Sequence, residues 1–570
     1  MTKIYEQKID TFSGGMVNDI RENDASKYAF TKGFDTFSYK KRLIPYRSYE
    51  AGQDTVNRKI NKFLYYNGKL YGRGFVSATP SVYDTQVYYK TVFSDGTWTT
   101  PANGGDASSA AIDAEGYGEL FIYYKGYIYG ASSSTSVFKF DVAESVAFAN
   151  NNFNENNVGN VQGVIHSADD ILYVAAKNAT TLRATIWKND NGTWAGGTDT
   201  VSLTLPANMS VTSMCEYGIY LAIACVSDDP LTTSSKVFLW DRVATTWNES
   251  IDWGEGSLNV LEELEGRLIG ISIQERVNAT NLLFNTTINF KYYAGAQGAI
   301  EFDRLTGLTA ATPVSYLGKA KQKANNRIYF ATIISTPEGT ATREGVWSVG
   351  PNKQGGYSIV NEYQSSDATI PTAIDGFFLM GSYIFIAYSN SGSLSGNISK
   401  TRDDEVYSNN SVYESIAFDG GDSSLTKKLI GVTVHTVAIP SGGSIVLKYK
   451  IDEVISTSGG AFTTIFTNAT VTAGSFTVGA TYTIVSVGTT DFTAIGASAN
   501  TVGVTFIASG AGSGSGVAVP GLTSHSAINI ESSGATLSEF KEVQFQIIST
   551  GGAIVTGLSF AYEITGKRLY

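Results

Sequence analysis

A glycine turn opening a short apolar run, then a polar loop and a second alternating run, recurs along this chain. The clearest copy is Gly218-Ile219-Tyr220-Leu221-Ala222-Ile223-Ala224, a loop over 227–235, and Lys236-Val237-Phe238-Leu239-Trp240-Asp241. The turn and first run return at Asn67-Gly68-Lys69-Leu70-Tyr71, Lys125-Gly126-Tyr127-Ile128-Tyr129 and Asp169-Asp170-Ile171-Leu172-Tyr173. They return again at Glu265-Gly266-Arg267-Leu268-Ile269, Asn325-Asn326-Arg327-Ile328-Tyr329 and Met380-Gly381-Ser382-Tyr383-Ile384. The partner run recurs as Val137-Phe138-Lys139-Phe140-Asp141, Thr185-Ile186-Trp187-Lys188-Asn189 and Gly345-Val346-Trp347-Ser348-Val349. Seven copies spaced roughly 44 to 60 residues apart, with several strands per period, predict the blades of a seven-bladed β-propeller. A Gly or Asn stands at each turn because tight hairpins need positive φ.

The propeller is expected over residues 46–406, preceded by an extended arm over 1–45. The arm turns at Gly14-Gly15 and Gly33, and Leu43 to Tyr49 is the expected latch strand. Its apolar positions are isolated between polar stretches. Phe12, Met16, Phe34 and Phe37 therefore read as anchors for assembly contacts with a partner. After residue 406 the alternation changes to that of a β-sandwich, with Lys427-Lys428-Leu429-Ile430-Gly431-Val432-Thr433-Val434 and Ser444-Ile445-Val446-Leu447-Lys448-Tyr449 as half-buried strands. The sandwich occupies 407–468 and 522–570. A small inserted β-module over 469–521 interrupts it, and between Glu453 and Glu531 the sole charged residue is Asp491.

Composition supports an all-β reading: Gly 59, Tyr 33 and Phe 29 against Pro 11, with few runs of helical spacing. A net charge of −11 without a basic patch excludes a general nucleic-acid binder, yet suits a surface that DNA slides past without sequence recognition. Cys215 and Cys225 flank one hairpin out of register and are expected free and buried. No membrane span and no signal core are read, so assembly in a cytoplasm is expected.

Candidate chemistry is sparse. His166, His435 and His525 are scattered over separate elements. Asp419 and Asp422 offer oxygen ligands for calcium but read better as a polar turn, as does Lys188-Asn189-Asp190-Asn191-Gly192. Asp169-Asp170 and Asp403-Asp404-Glu405 could supply paired carboxylates of the kind glycoside hydrolysis uses, but read by default as solvated turns. No catalytic, cofactor or metal site follows from the spacing, and a non-enzymatic protein is expected. Tyr65-Tyr66, Tyr123-Tyr124 and Tyr292-Tyr293 put one ring on each strand face, one to pack between blades and one for a contact surface.

Phe12-Ser13-Gly14-Gly15-Met16 with Phe34-Asp35-Thr36-Phe37 resembles the opening of propeller-containing tail proteins of tailed bacteriophages. Ser415-Ile416-Ala417-Phe418-Asp419-Gly420-Gly421-Asp422 with Lys427-Lys428, and Glu542-Val543-Gln544-Phe545-Gln546-Ile547, resemble their C-terminal sandwich. Thr481 through Phe492, with Gly503-Val504-Thr505-Phe506, resembles a small module of phage virion proteins. The resemblance implies a virion structural protein, a nozzle or tail-ring component. It would be a homo-oligomer partnered by other tail proteins, without cofactor, contributing to tail assembly and the DNA-ejection conduit. The alternatives are a tail propeller binding host-surface glycans, or a glycan-cleaving enzyme.

Overall fold

Tight hairpins set the architecture. In the computed structural model, Gly68, Gly126, Gly218, Gly266 and Gly381 all lie between the first and second strands of successive sheets, as do Asp170 and Asn326. Asn67 and Gly68 have φ of 48° and 76°, Lys125 and Gly126 43° and 90°, Glu265 and Gly266 53° and 77°. Two consecutive positive φ values make the turn that matches strand twist. The model describes the chain apart from residues 1–3, 17–20, 22–23, 37–38, 50–54, 57–58, 80–81, 94–95, 102–119, 132–135, 142–148, 153–160, 179–180, 191–200, 230–232, 278–283, 296–297, 308–315, 336–341, 353–354, 364–372, 382, 390–395, 402–406, 408–410, 438, 441–442, 453–461, 521–524, 530–538 and 566–570.

The chain is all-β. Among the described residues, one 3-10 turn, Thr493–Ile495, is the sole helical element. Seven antiparallel sheets follow one another, each begun by an inner strand: Lys59–Tyr66, Phe121–Tyr124, Gln162–His166, Met209–Tyr217, Ser257–Leu264, Tyr316–Ala324 and Ala373–Met380. We number the sheets one to seven in that order. Each inner strand touches the next, and that of sheet seven touches that of sheet one, a propeller-like succession. Apolar side chains fill the seams. Between sheets three and four, for example, Tyr173, Ile186, Leu203, Met214, Ile223, Phe238 and Trp240 form one cluster. Cys215 and Cys225 are free and buried, opposite Ala222 and Val211 respectively.

Sheet seven is completed by a strand from before sheet one: Thr55–Val56 pairs with Asn397 and Gly396. This corrects the expected latch at Leu43 to Tyr49. Tyr49 does bridge Thr401 beside the closing strand, but Leu43 instead bridges Val555, away from the ring.

Two further sheets face each other outside the ring. One has the order Ile4–Ile9, Val555–Ile564, Lys427–Thr436, His525–Asn529; the other Tyr28–Lys32, Ser411–Ser415, Val543–Thr550, Ser444–Ile451, Thr463–Ala469. Phe545 and Phe560 meet between them at 4.9 Å. The arm thus supplies a strand to each sheet. Ile9, Phe12, Met16, Tyr28, Phe34 and Leu43 are buried in the same core as Leu429, Leu447, Phe545 and Leu558. The assembly-contact assignment of Phe12, Met16 and Phe34 is therefore corrected, since their side chains are sealed against the chain's own strands. Phe37 lies outside the described residues.

The inserted module has its own core of Phe476, Tyr482, Ile484, Phe492, Phe506 and Ala518. Its lone charge, Asp491, accepts hydrogen bonds from the Thr493 and Ala494 amides and from Asn500 Nδ2. Hydrogen bonds from Thr493 and Asn500 hold its carboxyl below the usual range. The module's ends are adjacent: Val471 pairs with Ala518 and Thr472 with Val517. Loop closure of this kind costs little with length. Replacing 473–516 with a two-residue Asn-Gly turn should leave the ring's thermal transition unchanged within about 1 kcal/mol. A larger loss in calorimetry would mean that the module braces the rest.

Candidate functional site

The arm crosses the sixth sheet at Gly14-Gly15, where backbone approaches backbone. Gly15 has φ +90°, and a Cβ there would sit 2.5 Å from Ser358 Cβ. Ser358 Oγ donates to the Gly14 carbonyl at 3.0 Å and the Met16 amide donates to the Ile359 carbonyl at 3.3 Å. On either side Phe12 and Met16 drop into the core, Phe12 edge-on to Tyr413 at 5.3 Å. The Phe-Ser-Gly-Gly-Met motif is thus a joint between the ring and the outer sheets.

A buried ion pair anchors this joint. Arg327 follows the sixth sheet's hairpin, and its Nη1 lies 2.6 Å from Glu362 Oε1 on that sheet's outer strand, Tyr357–Tyr363. Ser348 Oγ donates to the same oxygen, and Tyr46 OH, from the arm, donates to Oε2 at 3.3 Å. The Tyr46 ring lies 4.5 Å from that of Tyr363. Burial pushes the Glu362 carboxyl up, and Arg327 pulls it back. Burial likewise pushes the Tyr46 and Tyr28 hydroxyls well above their ordinary range. A carboxylate so enclosed, with a guanidinium and two hydroxyls donating to it, holds elements together.

The sequence-derived candidates fall elsewhere. Asp169 accepts from the Ile171 amide, Tyr173 OH and Arg242, while Asp170 faces Lys125 at 3.8 Å. These two carboxylates are tied to different partners. Asp403-Asp404-Glu405 lies outside the described residues, as do Asn191 and Gly192, although the Asp190 carbonyl accepts from Lys125. Asp419 and Asp422 cap their own turn by accepting from the Gly421 and Ser424 amides. The cation at that loop is the chain's own: buried Lys427 donates to the carbonyls of Asp422, Leu425 and Lys541 at 2.6, 2.9 and 3.1 Å. Its burial lowers the ammonium's pKa.

His166 is buried at the third sheet's hairpin, with Nδ1 accepting from the Ala168 amide. His435 and His525, read as scattered, are paired across adjacent strands. Among the described residues no group of three or more His, Cys, Asp or Glu is placed to hold a metal, and no helix is long and apolar enough to cross a membrane. Of the tyrosine pairs, Tyr66 stacks on Tyr123 at 3.7 Å, Tyr124 and Tyr293 are buried, and Tyr65 is the open ring at 43% exposure.

Sequence reasoning missed three polar groups inside the ring: the Arg327–Glu362 pair, Lys321 and Asp375. Lys321, on the sixth inner strand, donates to the Met214 carbonyl at 2.7 Å and to that of Leu261, and lies 3.1 Å from Glu262. It thereby ties sheets four, five and six. One signal was available for Glu362, as a lone acid in the otherwise uncharged strand Tyr-Ser-Ile-Val-Asn-Glu-Tyr.

No family model and no curated protein matches the chain. Solved structures similar to it include the Dos1 propeller, at 10% identity and TM-score 0.36 over 63% of this chain and 89% of that one. A GH43 β-1,3-galactosidase with galactodeoxynojirimycin is similar at 10% identity and TM-score 0.30, over 56% and 99%. An α-L-arabinanase of Penicillium chrysogenum with arabinobiose is similar at 11% identity and TM-score 0.32, over 64% and 99%. At this level the likeness concerns the fold alone. The expectation of a non-enzymatic chain is corrected: glycoside hydrolases are among these similar structures, and a fold alone does not exclude catalysis.

Proposed function

We propose that this chain is a virion structural protein of a tailed bacteriophage, an oligomeric tail component of the nozzle or ring class. In this reading the seven sheets are the blades of a closed seven-bladed propeller and the two outer sheets are a β-sandwich carrying the inserted module. The observation that carries the reading is the joint. The motif that resembles phage tail proteins, Phe12-Ser13-Gly14-Gly15-Met16, is the segment that welds ring and outer sheets through one core. A load-bearing tail part needs its domains locked rather than hinged, and a shared apolar core with a buried ion pair does that. Its partners are further copies of itself and other tail proteins, and a net charge of −11 lets DNA pass without sticking.

The test is electron microscopy of particles carrying a tagged copy, together with light scattering of the purified protein. Tail density bearing the tag and a discrete oligomer are expected. A monomer absent from particles would overturn the reading, and turnover of host polysaccharide by the purified chain would replace it with a glycan-cleaving one.

A further inference from the structure

Four of the inner strands carry the same irregularity. One residue bulges out of register with the second strand: Asn61 between Ile60 and Lys62, Thr212 between Val211 and Ser213, Asn259 between Leu258 and Val260, and Asp375 between Ile374 and Gly376. Bulges re-aim a side chain away from the ladder. At Thr212 and Asn259 they aim it across the seam to the neighbouring sheet. Thr212 Oγ1 donates to the Leu258 carbonyl of sheet five, and Asn259 Nδ2 donates to the Leu317 carbonyl of sheet six at 2.9 Å. At the seam between sheets one and two, Asn61 Oδ1 accepts from Arg73, whose Nη1 donates to the Leu120 carbonyl at 3.0 Å. Each of these seams is thus crossed by a donor to a backbone carbonyl.

Asp375 occupies this position at the seam where the ring closes, between sheets seven and one. Its neighbour Gly376 lies so close to sheet one that a Cβ there would meet the Asn61 carbonyl oxygen at 2.9 Å and that of Ile60 at 3.2 Å. Part of the residue reaches solvent, and Oδ1 accepts from Ser389 Oγ at 3.4 Å. Oδ2, however, is sealed from water with no hydrogen-bond partner. An ionised carboxylate has nothing to donate to a carbonyl, whereas a carboxylic acid does.

We propose that Asp375 closes this seam as a protonated acid, donating from Oδ2 to the carbonyl at Ile60 or Asn61, so that ring closure is acid-sensitive. Burial pushes the carboxyl up to about 7, while Lys59, on the first inner strand, pulls it back. On the flanking sheets, Arg73 is committed to Asn61 and Leu120, and Lys321 to Met214, Leu261 and Glu262. The open seam exposes an ordinary carboxyl, with a pKa near 3.8. Because the closed form binds the proton more tightly, closure is strongest at acid pH and weakens as pH rises towards about 7. Above that value the loss is complete and constant.

Hydrogen exchange on the full chain, corrected for intrinsic rates, reads this at the segments 60–64 and 374–379. Protection in the wild type should fall about a hundredfold between pH 5 and 8. Asp375→Asn supplies a permanent donor, as Asn259 does, and should hold the acid-level protection at both pH values. Asp375→Leu removes charge and donor together, so it should be flat with pH but less protected than Asp375→Asn. Parallel pH profiles for the wild type and Asp375→Asn would overturn the proposal even if the leucine variant fails to fold. Equal protection in the leucine and asparagine variants would overturn the donor role.

Discussion

Deleting residues 1–37 should unfold the outer sheets, not merely prevent assembly. Ile9, Phe12, Met16, Tyr28 and Phe34 are each 3% exposed or less, and all lie in the core of those sheets. Full burial of a large apolar side chain contributes roughly 1.5–3 kcal/mol, so five of them supply on the order of 8–15 kcal/mol. That is an upper estimate, because the unfolded chain already hides some surface. It still matches the whole net stability of a typical domain, about 5–15 kcal/mol. The truncation also strips the edge strands Ile4–Ile9 and Tyr28–Lys32 from their partners Val555–Ile564 and Ser411–Ser415. Near-UV circular dichroism and limited proteolysis of the truncated chain are the measurements. Loss of aromatic signal, with cleavage confined to residues beyond 407, is the expected result. A truncated chain that keeps its full spectrum and simply stays unassembled would restore the arm to the role of a docking strap.

The contrast between that arm and the ring shows what a sequence exposes. The ring was legible because its determinants are local. A hairpin needs two residues of positive φ between two apolar runs, and Asn67-Gly68 or Glu265-Gly266 carries that requirement within a few positions. The arm's determinants are remote. Tyr5 pairs with Tyr562, and Phe30 with Glu414, so nothing near either partner marks it as a strand of that sheet. Isolated anchors such as Phe12 and Met16 look like shallow contacts when their partners lie at the far end of the chain. The latch failed for a related reason. Leu43 to Tyr49 has the stronger β pattern, but closure needs only the two-residue strand Thr55–Val56. The joint was less legible still. Arg327 and Glu362 are 35 positions apart, and Tyr46 is 316 from Glu362. No spacing rule connects them; Arg327 and Glu362 meet across the strand Thr342–Pro351 that separates theirs in the sixth sheet, and the N-terminal segment brings Tyr46 to it.

Replacing Arg327 with methionine should be the most damaging single substitution at the joint. The side chains of Arg327 and Glu362 are 12% and 3% exposed, so the methionine leaves a carboxylate buried without its counter-charge. Ser348 and Tyr46 still donate to it, but neutral donors do not replace a guanidinium. Breaking a buried pair from one side costs about 3–5 kcal/mol, whereas replacing both partners with apolar groups of similar volume is often close to neutral. The double variant Arg327→Met, Glu362→Leu should therefore recover much of what the single one loses. The sign with pH follows from Glu362, whose carboxyl is already held up by burial. Without Arg327 it rises further, so the folded state takes up a proton that the unfolded state releases. Below the ordinary carboxylate pKa, about 4.3, the group is protonated in both states and no charge is buried. The deficit of Arg327→Met is then smallest near pH 4 and grows through neutrality. Thermal unfolding of the wild type, the single and the double variants at pH 4 and pH 8 measures both effects. A single variant with the same deficit at both pH values, and a double variant no better than it, would mean that Arg327 contributes packing rather than charge.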